Sequence, residues 1–416
     1  MFQDIFLVTI DSLRPDYLGV YNPDRQLTPI IDELAKAGTF FTQAVSQAPF
    51  ATPAIASLLT GLYPFRTGVR LTQGQLCDHG VPTLAEYARR AGFRTGGFPS
   101  TCTLNSKAGL GRGFDGYDDV TERITSSDGR CWQTGDAINH HVDQFLANAG
   151  QQRVFTWVHY SDLHDYHLDT NLPVEQSYAR DLTDKIDRLC IGGLLDVLRK
   201  HERLKQAAII LTSDHGECLS EHGERGHGGH LYDSVMHVPL IWRWGSRPRA
   251  IKRIDRQVRL VDIMPTLLEL WGFQQTDWPS PIDGQSLAPL LKCETDPLEA
   301  CTLAVPPSYA ETSPGQISEE DIKGRETFTG PEQQSLRTER YKLILHADGH
   351  RELYDLQGDP GELNNLADSK KTLSDQLAKK LTDLVAPEAR RHAHRSSHEE
   401  KESETLQRLR SLGYVN

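Results

Sequence analysis

The sequence predicts an α/β fold: a doubly wound, mostly parallel central sheet with helices on both faces, plus a small C-terminal antiparallel α+β subdomain. Two observations support this prediction. Short apolar runs rich in β-branched residues alternate with helical patterns over most of the chain, as they do in parallel sheets. Beyond about residue 308, alternation of apolar and polar residues replaces these runs and indicates antiparallel strands.

The predicted parallel strands end at polar residues. The first three runs stop next to Asp11, to Asp162, and to the pair Asp214 and His215. Because ligands of such sheets bind beyond the carboxyl ends of the strands, we expect these side chains to converge on one crevice. The apolar runs occupy residues 5–10, 154–160, 207–212 and 238–243, and the helical patterns occupy residues 28–37, 54–59, 83–91 and 182–200.

Three regions follow from the changes in pattern. We expect an α/β catalytic domain over residues 1–307, a small sheet-and-helix subdomain over 308–385, and a charged helical tail over 386–416. The tail is predicted to be a solvated helix, with a homo-oligomer contact as the alternative. Within the second region, a polar loop is predicted at 313–334, strands at 335–345 and 352–356, and a helix at 373–385.

Composition excludes several classes of protein. The 45 Lys and Arg residues against 57 Asp and Glu residues give a net charge of −12, so the chain lacks the basic excess of a nucleic-acid-binding protein. No stretch approaches the ~18 apolar residues of a membrane span. The N-terminus shows no signal-peptide pattern, and we expect a cytoplasmic protein. The seven scattered cysteines form no C-x-x-C pair and are predicted to be free thiols.

The residues at the strand ends suit a metal ion. Asp11, Asp214 and His215 combine carboxylate oxygens with one imidazole, a set that fits a divalent cation such as Ca²⁺, Mg²⁺, Mn²⁺ or Zn²⁺. Each acidic residue has an alternative interpretation, because a carboxylate after a strand also caps the next helix. Read together, the three residues favour a metal site.

A series of motifs accompanies these residues along the chain. They read D-S-L-R-P-D at 11–16, L-T-S-D-H-G-E at 211–217, V-D-I-M-P-T-L-L at 261–268, D-G-Q-S-L at 283–287, L-R-T-E-R-Y-K at 336–342, E-L-Y-D-L at 352–356 and D-P-G-E at 359–362. In this order they resemble the sulfatase family of the alkaline phosphatase superfamily over nearly the whole chain. The resemblance implies a metal-dependent hydrolase of small sulfate, phosphonate or phosphodiester substrates, with metal ligands at Asp11, Ser12, Asp214 and His215.

The segment that carries the family's nucleophile departs from the pattern. Sulfatases have C-x-P-S-R-x-x-x-L-T-G, with a Cys or Ser converted to formylglycine, whereas residues 51–61 read A-T-P-A-I-A-S-L-L-T-G. Ala51 occupies the nucleophile position and Ile55 the position of the bracing Arg. A methyl group cannot attack sulfur or phosphorus. The neighbouring Thr52 is either the N-cap of the helix or a substitute nucleophile, and a metal-bound water is the other alternative.

Two histidines and two hydroxyl residues complete the predicted site. The run H-Y-S-D-L-H-D-Y-H at 159–167 is similar to the family's H-x-P-H-x-P segment, so that His164 matches the histidine that touches the transferred group. His227 resembles the histidine of phosphoethanolamine transferases that contacts the phosphoryl group or a second zinc. Both would bind the transferred group or protonate the leaving oxygen. Ser100 and Thr101 replace the family's charged contacts and offer neutral hydrogen bonds.

These observations lead to two classes of function. The first is a hydrolase of sulfuric or phosphoric esters, or a transferase that passes the phosphoryl group to another hydroxyl. The second is a pseudoenzyme or inactivated variant that binds an anionic ester without turning it over, because Ala51 cannot act as a nucleophile. The joint retention of the metal residues with His164 and His227 favours catalysis.

Overall fold

The computed structural model describes residues 4–70, 75–76, 81–119, 132–168, 171–245, 252–292, 304–312 and 333–386. The predicted tail and its oligomer contact lie outside the described residues, apart from residue 386. The predicted loop at 313–334 also lies outside them, except that Gln333 and Gln334 belong to a strand.

The larger sheet has eight strands in the order β4-β3-β5-β1-β6-β7-β2-β8. It confirms the predicted mostly parallel sheet, because β1 pairs in parallel with both β5 and β6 at its centre. These central strands are fully buried, which explains their continuous apolar sequences. The strands are β1 Asp4–Ile10, β2 Gly38–Val45, β3 Arg94–Pro99, β4 Gly116–Tyr117, β5 Val154–Tyr160, β6 Ala207–Ser213, β7 His237–Arg243 and β8 Lys252–Arg259.

One strand contradicts the prediction of parallel pairing. Strand β7 runs antiparallel to both β6 and β2, although its apolar sequence is typical of a buried parallel strand. A parallel neighbour of β6 would need a long crossover connection, usually a helix. The chain between β6 and β7 contains a short 3-10 helix, Glu221–Gly223, and a four-residue α-helix, Asp233–Met236, in place of a long crossover helix, and β7 returns beside β6 in the opposite direction.

Helices cover both faces of this sheet. Alternate residues of β1 point to opposite sides, so that Ile5 and Leu7 pack in one apolar cluster and Phe6 and Val8 in the other. The helices are α1 Pro29–Lys36, α2 Ala51–Thr60, α3 Pro64–Thr67, α4 Leu84–Arg90, α5 Gly135–Ala149, α6 Val174–Asp181, α7 Gly193–Lys200, α8 Asp233–Met236, α9 Ile263–Trp271, α10 Ala288–Lys292 and α11 at 371–386. The helix predicted at 182–200 continues from α6 through a wider π-helical segment, Leu182–Gly192, into α7.

The C-terminal part forms a separate antiparallel sheet of four strands in the order β12-β11-β10-β9. Helix α11 packs on it through Leu377 and Leu381. Tyr63 and Val261 of the larger part belong to the same apolar cluster, so the two sheets share a core at their junction. The strands are β9 Ser308–Thr312, β10 Gln333–Arg337, β11 Tyr341–His346 and β12 Arg351–Asp355.

A buried charge cluster also joins the two parts. Asp233 of α8 accepts hydrogen bonds from Arg337 at 2.9 Å and from Lys342 at 2.9 Å. Lys342 is 1% exposed, and its Nζ lies 2.8 Å from Oε1 of the buried Glu362. Arg337 also donates to Oε1 of Gln257 at 2.8 Å. We call Asp233, Arg337, Lys342 and Glu362 the junction cluster; its charges are paired with one another.

The cysteines differ from the prediction. Cys190 and Cys218 are free and buried, whereas Cys102 forms a disulfide whose partner lies outside the described residues. The expectation that all seven cysteines are free thiols is therefore wrong. Among the described residues, no helix combines the length and the apolar character that crossing a membrane requires.

Candidate active site

Four side chains from three adjacent strands meet at the carboxyl edge of the larger sheet. Asp11 follows β1, Asp214 and His215 follow β6, and His159 lies near the end of β5. The parallel register brings them together, because Thr9 of β1 is paired with His159 and Ile10 of β1 with Ser213. All four residues are buried, at 4% exposure or less. We call them the metal cluster.

The distances within the metal cluster fit one ion. Asp11 Oδ1 lies 3.5 Å from Nε2 of His215, and Asp11 Oδ2 lies 3.9 Å from Nε2 of His159. Nε2 of His215 is 3.7 Å from Oδ2 of Asp214. Two atoms that each bind a metal at about 2.1 Å can be at most about 4.2 Å apart. Asp11, His159 and Asp214 offer ligand atoms that all lie within 4.8 Å of one another, close to this limit, and Nε2 of His215 lies beside them.

The buried donor atoms of the metal cluster support this interpretation. Nε2 of His159, Oδ2 of Asp214 and Nε2 of His215 are buried and make no hydrogen bond within the described part of the chain. Buried polar atoms are nearly always paired, so three converging exceptions indicate a ligand. Nδ1 of His215 lies 2.9 Å from the carbonyl of Gly216; donation to that carbonyl leaves Nε2 as a lone-pair donor.

The two carboxylates differ in their affinity for protons. Burial opposes ionisation of Asp11, but His164, His159 and His215 surround it and lower its pKa well below the usual value. Burial instead raises the pKa of Asp214, and the neighbouring charge of Asp11 adds to this effect. A cation bound between them would favour the ionised form of both carboxyls.

Ser12 supports the carboxylate of Asp11. Its Oγ donates a hydrogen bond of 3.0 Å to Oδ1 of Asp11. Its backbone has φ of 61°, a left-handed conformation that is uncommon for a residue other than glycine. The strand thus turns sharply at the site, and the hydroxyl is held against the carboxylate.

Three further residues stand beside the metal cluster. Nε2 of His164 lies 3.5 Å from Oδ1 of Asp11. The ring centroid of His227 lies 4.3 Å from that of His215 and 5.1 Å from that of His164. Nδ1 of His227 is hydrogen-bonded to Oε2 of the buried Glu217 at 3.0 Å. Burial opposes ionisation of Glu217, but His227 and the other histidines lower its pKa to about 2.

Helix α2 begins next to His227. The helix starts at Ala51, and the ring of Phe50, its N-cap residue, lies 6.3 Å from the ring of His227. Gly228 permits this approach, because its φ is 97° and a Cβ there would lie 2.2 Å from Cε1 of Phe50. The partly buried methyl group of Ala51 packs against the apolar cluster beneath the helix. The predicted nucleophile position thus lies at the start of a helix beside the histidines.

Thr52 has a different role from the predicted N-cap. The N-cap is Phe50, and Thr52 lies inside the first turn of α2. The Thr52 side chain is completely buried and donates a hydrogen bond of 3.1 Å to the carbonyl of Thr103. Thr52 does not cap the helix because its backbone is already helical. From this position its hydroxyl reaches the segment that contains Thr103. This geometry gives no support to Thr52 as a nucleophile.

The predicted hydroxyl contacts lie on the same edge of the sheet but in buried positions. Ser100 follows β3, is fully buried and donates a hydrogen bond of 2.8 Å to Oγ of Ser161. Oγ1 of Thr101 lies 3.4 Å from Oγ1 of Thr103. These contacts place both hydroxyls in a network within the protein.

Asp162 does not join the metal cluster, contrary to the expected convergence. Its Oδ1 accepts a hydrogen bond of 2.9 Å from the amide of Gly135, at the start of α5. Asp162 therefore contacts the first turn of a helix that precedes it in the chain, and it does not cap the next helix, which was the alternative for a carboxylate after a strand. The predicted crevice is correct for Asp11, Asp214 and His215.

Two residues of the site were not predicted. His159 enters the sequence analysis only as part of a motif, although its place as the penultimate residue of a central strand is a signal that it faces Asp11. Glu217 is part of the motif at 211–217, but its contact with His227 depends on a loop of ten residues that the sequence does not specify. Neither contact is visible without the strand register and the loop conformation.

Comparisons with known proteins agree with the motifs. The family model described as Sulfatase matches residues 3–273. The chain is 28% identical to arylsulfatase K of Xenopus laevis over 53% of its own length, but the match spans only 40% of that relative. It is 23% identical to the Δ4,5-hexuronate-2-O-sulfatase of Bacteroides thetaiotaomicron, over 88% of this chain and 85% of that protein.

The fold is also similar to that of solved structures. The phosphonate monoester hydrolase of Agrobacterium radiobacter superimposes with a TM-score of 0.70 at 21% identity, covering 92% of this chain and 96% of that one. The family model covers well over half of the chain, and the order of the motifs agrees with it. The chain therefore belongs to the sulfatase family.

Proposed function

We propose that the protein is a metal-dependent hydrolase of sulfate esters. The observation that carries this proposal is the metal cluster, in which three buried donor atoms converge without hydrogen-bond partners beside His164 and His227. The family membership supports the reaction class. A purely structural cluster would pair these atoms with one another.

The donor set favours a zinc-like or manganese-like ion. Two carboxylates and two imidazoles, from Asp11, Asp214, His159 and His215, match the nitrogen and oxygen ligands that these ions accept. Calcium prefers six to eight oxygen ligands, a larger set than these side chains supply. A divalent cation bound here supplies Lewis acidity towards an ester oxygen and a water molecule.

The histidines beside the metal cluster bind the transferred group in this proposal. Donation from Nδ1 of His227 to the carboxylate of Glu217 leaves Nε2 of His227 to face the other imidazoles. Nε2 of His164 lies 3.5 Å from Oδ1 of Asp11, the oxygen that His215 also approaches. The positive end of the α2 dipole at Ala51 adds favourable potential for an anion. Together these groups hold the anionic head of the ester and stabilise charge on it.

The nucleophile in this proposal is a water molecule. Ala51 has no group that can attack, and the proton of the Thr52 hydroxyl is donated to the Thr103 carbonyl. Thr52→Val should therefore leave turnover unchanged, which kcat measurement checks. A loss of turnover in Thr52→Val, with the fold intact by circular dichroism, would favour Thr52 as the nucleophile instead.

The substrate class that we propose is a sulfate monoester of a sugar. Relatives named as a hexuronate sulfatase and as an endo-4-O-sulfatase motivate this choice. Aryl sulfates provide a simple chromogenic probe of the same bond. Phosphonate and phosphate diesters are the second set of substrates to test. The reason is that the proposed metal ligands, Asp214 and His215 among them, include nitrogen atoms as well as oxygen atoms.

The test compares metal content with turnover in matched variants. We expect the zinc-loaded or manganese-loaded protein to hydrolyse an aryl sulfate, and Asp214→Asn to lower kcat/KM on the order of 10⁴-fold, equivalent to about 5 kcal/mol. The same variant should lose the equivalent of metal that the metal cluster binds. Asp196→Asn, at an exposed ion pair on α7, is the control and should change neither quantity. Full metal content and turnover in Asp214→Asn would contradict the proposal.

A second candidate function follows from Ala51. Helix α2 begins at Ala51, whose side chain is only a methyl group. An ester-binding pseudoenzyme or an inactivated form of a hydrolase would have this combination. No turnover in the native chain together with turnover in Ala51→Thr or Ala51→Ser would identify an inactivated hydrolase. No turnover in any variant, combined with tight binding of a sulfated sugar, would identify a binding protein.

A further inference from the structure

A second group of metal-binding side chains lies in the C-terminal sheet, on the hairpin that joins β11 to β12. His346 is the last residue of β11, and its amide donates a hydrogen bond of 3.0 Å to the carbonyl of His350. The two histidines therefore face each other across the mouth of the hairpin. Glu352 is the second residue of β12, and its carboxylate lies within 4.8 Å of ligand atoms of both histidines. Three ligand-type side chains thus share one face of one hairpin.

The distances bring these side chains within reach of one ion. The ligand atoms of His346, His350 and Glu352 all lie within 4.8 Å of one another. Nε2 of His346 is hydrogen-bonded to Oε1 of Glu352 at 2.6 Å, a contact that a bound ion would replace, and the two imidazole centroids are 5.1 Å apart. His350 is exposed, so a small rotation of its side chain can close the remaining gap and leaves an entry path for the ion.

The carboxylate is held in place by further contacts. Oε2 of Glu352 accepts hydrogen bonds from the hydroxyl of Tyr232, at 2.9 Å, and from that of Tyr354. These bonds orient Oε1 towards the histidines. Outer hydrogen bonds of this kind are typical of metal-binding carboxylates. Glu352 is itself only 7% exposed.

We propose that His346, His350 and Glu352 form a second divalent-metal site, with zinc as the preferred physiological ion. Two imidazoles and one carboxylate are a ligand set found at zinc sites with one open position, and here that position faces solvent. We call this group the hairpin site. It is separate from the metal cluster and does not depend on the proposed hydrolysis.

The hairpin site is also connected to the loop that carries His227. Tyr232, which donates to Glu352, stacks on His222 with ring centroids 3.7 Å apart. Both residues belong to the segment between Glu217 and α8. An ion that fixes Glu352 would therefore restrain Tyr232 and the end of this loop. We expect zinc to raise the melting temperature of the protein through this contact as well as through the metal cluster.

The test isolates the hairpin site in a background without the metal cluster. In Asp214→Asn, zinc titrated by calorimetry should still bind, and adding His350→Ala should remove one equivalent. Because His350 is exposed, this change does not threaten folding. His140→Ala, another exposed histidine, is the matched control and should leave the stoichiometry unchanged. The difference in zinc stoichiometry between the variants cancels any zinc that other histidines of the chain bind.

A conservative variant tests the geometry of the site. Tyr354→Phe removes one hydrogen bond from Glu352 and should weaken zinc binding about 10- to 100-fold without changing the stoichiometry. Equal zinc stoichiometry and affinity in Asp214→Asn with and without His350→Ala would overturn the proposal. Loss of zinc in His350→Ala but not in His140→Ala, with weaker binding in Tyr354→Phe, would establish it.

Discussion

The metal cluster and the junction cluster are both buried groups of charged or ionisable side chains, but they differ in how their polar atoms are used. In the junction cluster, Lys342 and Arg337 are paired with Asp233 and Glu362 at 2.8–2.9 Å. In the metal cluster, donor atoms of His159, Asp214 and His215 converge without hydrogen-bond partners in the described structure.

The difference separates a structural cluster from a binding site. Burying charge is costly unless opposite charges and hydrogen bonds compensate for it. The junction cluster supplies this compensation from the protein itself. In the metal cluster, we propose that a bound cation supplies this compensation. Variants that remove one member should therefore affect folding in the first cluster and metal-dependent properties in the second.

The largest expected effect on stability is at the junction. Lys342→Met removes the cation between Asp233 and Glu362 and leaves both carboxyls buried, which should lower the free energy of unfolding by about 3–5 kcal/mol. Denaturant titration measures this change. Lys292→Met, at an exposed ion pair with Glu269, is the control and should change stability by less than about 1 kcal/mol. If Lys342→Met lowered the free energy of unfolding by less than about 1 kcal/mol, the junction cluster would not stabilise the fold in the way that separates it from the metal cluster.

A smaller effect is expected at His230, which lies between the clusters. Burial and the nearby cation Lys342, with His222, lower the pKa of His230 from 6.5 to about 4, against the opposing charge of Glu217. The unfolded chain therefore binds more protons than the folded chain between these values. Stability from this group is present above about pH 6.5 and is lost as the pH falls towards 4.

The measurement for His230 is the free energy of unfolding against pH. In His230→Leu the rise in stability between pH 4 and 6.5 should be smaller by up to about 3 kcal/mol. His140→Leu, at an exposed histidine, should retain the slope of the native protein. Identical slopes in the native protein and His230→Leu would show that His230 is protonated normally.

The smallest expected effect concerns Glu217. Glu217→Gln keeps the shape of the side chain and an acceptor for His227, but it removes the negative charge, and kcat should fall about 10- to 100-fold. Bound metal should remain unchanged, which distinguishes a positioning role from loss of the metal cluster. Glu175→Gln is the exposed control. An unchanged kcat in Glu217→Gln would show that His227 does not need the carboxylate.

Much of the architecture follows from local sequence. The buried strands β1, β5 and β6 were predicted within one residue, because their continuous apolar runs have no competing interpretation. Strand β8 was not predicted, since its sequence is rich in Arg and alternates in burial. The direction of β7 also could not be read, because an apolar run is compatible with either pairing.

The site was predictable where one residue type at a strand end determines the chemistry. Asp11, Asp214 and His215 lie together as expected. The contribution of His159 depends on the strand register, and the contact of Glu217 with His227 depends on a loop conformation. Asp162 accepts a hydrogen bond from the amide of Gly135 in α5, and the sequence does not show that this amide lies nearby. Tertiary contacts decide these three cases.

The position of Ala51 has a consequence for the history of this protein. It begins an intact helix beside the histidines, so a side-chain hydroxyl at this position would need only a few more atoms on one residue. Alanine codons become serine or threonine codons by one base change. The chain therefore lies a single mutational step from a hydroxyl at this position.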